Sequence, residues 1–136
     1  MTQPPPSKNF IFSEKIDSDY LFSLYADDLP YIEEVYSITL NHFDEDLEHI
    51  RQAWISGDIT NLKRATHKMK PAMGFAGLTG IQQQCMEFEE LCQKVPSIDR
   101  LKDTYHQLIT TLAESKVLIG SEYERLKAHN ANTPCP

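Results

Sequence analysis

The chain has 136 residues, 40% of them hydrophobic and 24% charged, which is enough apolar side chain for one compact core and too short for two ordinary domains. A formal net charge of -7 argues against nucleic acid or an anionic membrane surface as the main partner. No run of about 18 apolar residues occurs, and the first residues lack the basic-then-apolar order of a secretory signal, so a cytoplasmic monomer that does not enter a membrane is expected.

Met1 to Lys8 hold three consecutive prolines and no apolar period. Residues 1–16 are therefore expected to be a disordered tail, residues 17–128 the folded domain, and residues 129–136 a second tail. Residues from about Asp17 to Tyr25 suggest a short leading helix. From Leu29 to Trp54, apolar side chains at Leu29, Ile32, Tyr36, Leu40, Phe43, Leu47, Ile50 and Trp54 alternate three- and four-residue steps, the pattern of a long amphipathic helix. Gly57 ends it, and Asp58 is placed to accept backbone N–H groups at the start of the next helix.

That next helix runs from about Ile59 to Phe75, with Leu62, Ala65, Met69, Met73 and Ala76 inward, and Gly77 and Gly80 loosen the chain after it. A third long helix reaches about Lys94, with Ile81, Cys85, Phe88, Leu91 and Val95 inward; Pro96 closes it and Ser97 can cap a fourth. The fourth carries Leu101, Tyr105, Leu108, Leu112, Ile119 and Leu126, with Gly120 as a weak point. No segment alternates as a strand does. Short loops between long amphipathic helices mean antiparallel neighbours, so the expected fold is all-α, an up-down-up-down four-helix bundle with an extra N-terminal helix.

Cys85 and Cys92 lie seven residues apart on one helix, a rise of roughly 10 Å that no disulfide spans, so both read as buried, reduced thiols. Cys135 reads as a free terminal thiol. His42, Asp46 and His49 share one helical face, and Asp103 with His106 repeats an acid-histidine step. Carboxylate-bridged metal sites in bundles face the core, whereas the inward positions here are Phe43, Leu47, Ile50 and Tyr105, so these side chains read as a solvated face and no metal is expected.

The distribution of charge is more informative than its sum. Between Ile59 and Met86 there is no acidic residue, while Lys63, Arg64, Lys68 and Lys70 fall within eight positions. His67 stands two residues before inward Met69, and at about 100° per residue it points away from the core. Lys63 and Pro71 flank it at four residues and Arg64 and Lys70 at three, with Gly74 two turns along the same face. Phosphoryl transfer to an imidazole needs an accessible ring nitrogen, cations to offset the charge on the transferring oxygens, and room for a donor protein to approach. This face offers all three. No glycine-rich phosphate loop, kinase nucleotide motif or nucleophile-base-acid set accompanies it, so the chain is not expected to phosphorylate itself from ATP.

The stretch His67-Lys68-Met69-Lys70, then Gly77-Leu78, then Cys85 and Phe88-Glu89, resembles the signature of histidine-containing phosphotransfer (HPt) domains of bacterial phosphorelays. Those domains show a histidine, an apolar residue two on, a lysine three on, a glycine ten on, and an apolar-acidic pair on the next helix. The lead-in Gly57-Asp58 and the earlier Asp27-Asp28-Leu29 are similar too, and the resemblance spans roughly residues 20–118. It implies a bundle whose His67 accepts a phosphoryl group from the aspartate of one receiver domain and passes it to another, the receivers belonging to a hybrid histidine kinase, a response regulator or both. It further implies that Lys70 steadies the phosphoryl oxygens, that Glu89 fixes the tautomer of His67, and that Mg2+ comes with the receiver, the chain itself needing no cofactor.

Lys63, Arg64, Lys68, Pro71, Gly74 and Gln82 are assigned to the docking face. One position departs from the family pattern. Where a glycine is usual four residues after the histidine, Pro71 removes the N–H that would bond the carbonyl of His67, and a bent but continuing helix is expected. The alternative reading is a helical adaptor that docks a receiver-like partner through the basic face around His67 without covalent chemistry.

Overall fold

The structure, a computed structural model, describes residues 10–95 and 97–132. Expectations that fall on residues 1–9, Pro96 and residues 133–136, Cys135 among them, lie outside the described residues. The elements are α1 (Ser18–Tyr25), α2 (Leu29–Ile55), α3 (Ile59–Phe75), α4 (Thr79–Lys94), a short 3-10 turn (Ile98–Leu101) and α5 (Lys102–Asn132), with no strand among the described residues. α3 packs on α2 and α4, and α5 packs on α2 and α4, which closes the four long helices into an antiparallel ring. The fold is the expected four-helix bundle with α1 added.

Local chemistry sets the ends of the helices. Asp17, Asp28 and Asp58 cap α1, α2 and α3 by accepting the N–H groups of Tyr20, Tyr31 and Asn61. α2 and α3 stop in the same way, with Gly57 and Gly77 at φ +69° and +84°. In both, the N–H beyond the glycine reaches back over the last turn, from Asp58 to Ala53 O at 3.0 Å and from Leu78 to Met73 O at 2.8 Å.

The buried stripe of α2 follows Leu29, Ile32, Tyr36, Phe43, Leu47 and Ile50, but Leu40 and Trp54 are only partly covered, while Thr39, Asp46 and Ala53 are buried. Thr39, Asp46 and Ala53 lie seven residues apart, each three residues after a buried side chain (Tyr36, Phe43 and Ile50), so they form one edge of the inward face. Asp46, expected on a solvated face, is only 9% exposed for this reason. In α3, Thr66, four residues after Leu62 and three before Met69, is buried in place of Ala65, and its hydroxyl is satisfied by the Leu62 carbonyl at 2.9 Å. Trp54 instead stacks flat on Tyr105, ring centroids 4.1 Å apart.

The tails are shorter than their composition suggests. Residues 10–16 run as a strap along α5: Ile16 is buried, and Phe10 and Phe12 pack against the core. Ser13 N–H donates to Glu122 Oε1 at 2.7 Å, Arg125 bridges Glu122 Oε2 at 2.6 Å and the Ile11 carbonyl at 2.8 Å, and the guanidinium lies 4.6 Å over the Phe10 ring. Three apolar residues at irregular spacing form no periodic pattern, and they find cover only in the folded bundle, Phe10 beside His129, Phe12 beside Tyr36 and Ile16 at the Gly77 turn. At the other end α5 continues to Asn132, where Asn130 donates to the Leu29 carbonyl at 3.2 Å and to Glu33 at 2.8 Å. The strap joins α1 at Asp17, whose N–H donates to Gly77 O at 2.8 Å. A Cβ at Gly77 would meet Leu21 at 2.8 Å and Ile16 at 2.9 Å, so this turn is fixed both by its backbone angle and by what presses on it.

Candidate functional site

His67 sits at mid-length of α3 with its side chain 66% exposed, as its offset from Met69 dictates. Its ring is anchored on one side only. Nδ1 lies 2.7 Å from Oε1 of Glu89, which reaches across from α4 and is itself only 7% exposed. A carboxylate only accepts hydrogen bonds, so in the neutral ring Nδ1 carries the proton and Nε2 the lone pair. Among the described residues Nε2 has no hydrogen-bond partner.

Glu89 comes within reach because it follows Phe88, which is buried in the core, and α4 packs along the whole of α3. Its second oxygen lies 3.1 Å from Lys70 Nζ, an ion-pair distance without hydrogen-bond angles, so Oε2 keeps no hydrogen-bond partner among the described residues. Lys70 is more covered than Lys68, its side chain 23% exposed against 62%. His67, Glu89 and Lys70 thus form one connected set bridging α3 and α4. Beneath it lie the α4 thiols. Burial, reinforced by the negative charge of Glu89 and opposed by Lys70, pushes Cys85 up to about 12; burial and Glu89, opposed by Lys63, push Cys92 up to about 11. Both are free and protonated at neutral pH.

The other cations are spread around the imidazole. Lys63 Nζ donates to Gln93 on α4 at 2.9 Å, Arg64 to Asn61 at 3.1 Å on its own helix, and Lys68 lies 3.5 Å from Asp46 on α2. Lys63 and Lys68 therefore lean to opposite sides of His67. Pro71 is exposed, and α3 continues through it to Phe75. Gly74 is not part of the exposed face. It is buried under Gln82, whose amide nitrogen lies 2.5 Å from where a Cβ would stand. The absent side chain leaves the space that the Gln82 amide fills, and Gln82, half-buried, acts as the cover. Asp46 and Gln93 are the polar residues near the site that the pattern did not single out; the three-residue step from Phe43 and the four-residue step to Ile50 are the signal that placed Asp46 near the core.

The family model for the Hpt domain matches residues 34–128 of this chain. The chain belongs to that family. No match is found among curated proteins. Among solved structures, the crystal structure of the HPT domain from the Hpt sensor hybrid histidine kinase from Shewanella is similar, with a TM-score of 0.72 and 17% identity over 82% of this chain and 95% of that one. At that identity the likeness speaks for the fold. Membership of the Hpt family gives the chain a phosphotransfer role in two-component signalling, with receiver domains as the class of partner, and Hpt domains are phosphocarriers and not kinases. No helix among the described residues is long and apolar enough to cross a membrane. The strap, α1 and the first turn of α2 lie before the matched region.

Proposed function

We propose that this Hpt domain is a phosphorelay intermediate that takes a phosphoryl group onto Nε2 of His67 from the aspartyl-phosphate of one receiver and delivers it to the aspartate of another. The observation that carries this reading is the one-sided anchoring of the ring: Nδ1 is held at 2.7 Å by a buried carboxylate while Nε2 faces solvent. The Nε2 lone pair attacks phosphorus, the P–N bond forms, and the P–O bond to the receiver's carboxylate breaks, leaving that carboxylate on the receiver. The imidazole gains positive character as it does so, and Glu89 offsets it through the Nδ1–H. Lys70, 3.1 Å from Glu89, is placed to turn toward the transferring oxygens, whose remaining charge is met by the receiver's Mg2+. Delivery is the same exchange in reverse with a second receiver, and the chain contributes no group to hydrolyse ATP.

Incubation with Mg2+ and receivers charged by acetyl phosphate tests this directly. An acid-labile, base-stable adduct of one phosphoryl group is expected on His67 by intact mass, and none on His67→Gln. A His67→Gln protein that still binds receivers separates carriage from docking. If charged receivers bind the native chain and leave no adduct, the adaptor reading replaces the carrier one.

A further inference from the structure

Two carboxylate oxygens among the described residues are out of solvent without a hydrogen bond, Oε2 of Glu89 and Oδ1 of Asp46. Buried acceptors are normally met, so two exceptions on one side of a small bundle ask for a physical reason. Each faces one lysine of α3: Lys70 Nζ stands 3.1 Å from Glu89 and Lys68 Nζ 3.5 Å from Asp46. Lys68 and Lys70 follow His67 by one and three residues, which at about 100° per residue sets them on opposite sides of the imidazole, the first toward α2 and the second toward α4. The nucleophile is therefore flanked by two matched pairs, each an anchored acid on a neighbouring helix facing a lysine of its own helix.

The pairs differ in how firmly the lysine is held. Lys70 is largely covered, and its acid also grips the ring through Nδ1. Lys68 is 62% exposed and stands farther from its acid. Asp46 cannot follow Lys68 outward, because it is only 9% exposed and lies between buried Phe43 and Ile50 on α2. Lys68 is its one ion-pair partner among the described residues. A phosphoryl dianion on Nε2 adds negative charge next to an ammonium on a flexible stem and a carboxylate that is fixed, so the two anions compete for one cation.

We propose that Asp46 is a positioning residue for the phosphoryl exchange: it competes with the phosphoryl group on His67 for Lys68, and so limits how strongly the loaded chain holds its cargo. In the empty chain Lys68 rests against Asp46. On loading it swings to the phosphoryl oxygens and leaves Asp46 a buried charge without a cation, a cost that offsets part of the gain and keeps the group transferable to a second receiver. The inference rests on the carrier reading for the reaction it tunes.

The test measures an equilibrium, because a residue that only docks a receiver changes rates and leaves the partition between free species untouched. The chain and its variants are mixed at low concentration with one charged receiver and Mg2+, and the ratio of phosphorylated chain to phosphorylated receiver is read by intact mass once it stops changing. Asp46→Asn is expected to move that ratio about threefold toward the chain and Lys68→Gln about threefold toward the receiver, the scale of one solvent-screened ion pair. In the Lys68→Gln background, Asp46→Asn is expected to do nothing. Asp44→Asn, which removes another acid of α2, paired with Lys116 at 2.6 Å, is the control and leaves the ratio unchanged. An Asp46→Asn effect that is absent, or equal in both backgrounds, overturns the proposal.

A second arm needs no receiver, and it decides the matter if unfolding midpoints show that Asp46→Asn does not fold. Phosphoramidate loads His67 directly, releasing ammonia. The NMR signals of the Lys68 side chain and of the Asp46 carboxylate carbon are expected to shift on loading of the native chain and to stay in place in His67→Gln. Unmoved signals overturn the proposal. Signals that move in a chain that exchanges with no receiver refute the carrier reading and leave the competition for Lys68 standing.

Discussion

Two buried carboxylates in this bundle are built alike and do different things. Glu89 is 7% exposed and Glu122 3%, and each faces one cation and one N–H donor. Glu89 meets Lys70 at 3.1 Å and His67 Nδ1 at 2.7 Å. Glu122 meets Arg125 at 2.6 Å and the Ser13 backbone N–H at 2.7 Å. The difference lies in what the donor is attached to. A backbone N–H can only be held, so Glu122 clamps the N-terminal strap. An imidazole N–H sits on a ring whose other nitrogen remains open, so under the carrier proposal the same kind of contact at Glu89 prepares a nucleophile. Burial and charge pairing do not distinguish a functional carboxylate from a structural one; its partner's second atom does.

The largest expected effect breaks the pair apart. Glu122→Ala leaves the Ser13 N–H unmet and frees the strap, and should lower unfolding free energy by about 3 kcal/mol in urea denaturation, since removing one partner of a buried pair costs about 3–5 kcal/mol and exposed Arg125 recovers some hydration. Glu89→Ala should cost about 1 kcal/mol or less, because His67 reaches water, yet lower the transfer rate on the order of 10²-fold. Equal stability losses, or equal rate losses, would erase the distinction.

A second contrast sets the two buried glycines of the α3–α4 region against each other. Gly77→Ala should destabilise by about 1–3 kcal/mol, since φ +84° is unfavourable for alanine and Leu21 and Ile16 stand under 3 Å from the new methyl. Gly74→Ala meets only the flexible amide end of Gln82 and gains about 1 kcal/mol of helix propensity, so thermal unfolding should shift little or upward.

A last effect concerns pH. Cys85 and Cys92 are raised from 9.0 to about 12 and about 11 by burial, so the folded chain keeps two protons that the unfolded chain loses. Stability is therefore full below about pH 9 and falls as pH rises from there, by up to about 1.4 kcal/mol per pH unit for each thiol, until the folded thiols titrate. Cys85→Ala should flatten that alkaline limb, and an unfolding series from pH 8 to 11 shows whether it does.

Much of this was legible from residue order. Apolar steps of three and four, the caps Asp28 and Asp58 and the stops at Gly57 and Gly77 are local, each depending on side chains within one or two turns, so they gave the bundle and set His67 outward. Its relation to Glu89 was legible only through resemblance. The 21 residues between them carry no intrinsic sign that two helices will meet there, and the 2.7 Å contact exists because α3 and α4 pack against each other. The strap escaped because Phe10, Phe12 and Ile16 have no period; their burial depends on α2, α5 and the Gly77 turn, all distant in sequence, α5 by 109 residues at the Ser13–Glu122 contact. Asp46 escaped because the apolar pattern gives the inward place after Phe43 to Leu47, and only packing shows that its polar neighbour is buried as well. Local chemistry, set by the sequence, determined the helices and the face of the nucleophile; only tertiary packing decided which buried carboxylate would hold a ring and which would hold the chain, because a carboxylate's role depends on a partner that arrives from elsewhere in the fold.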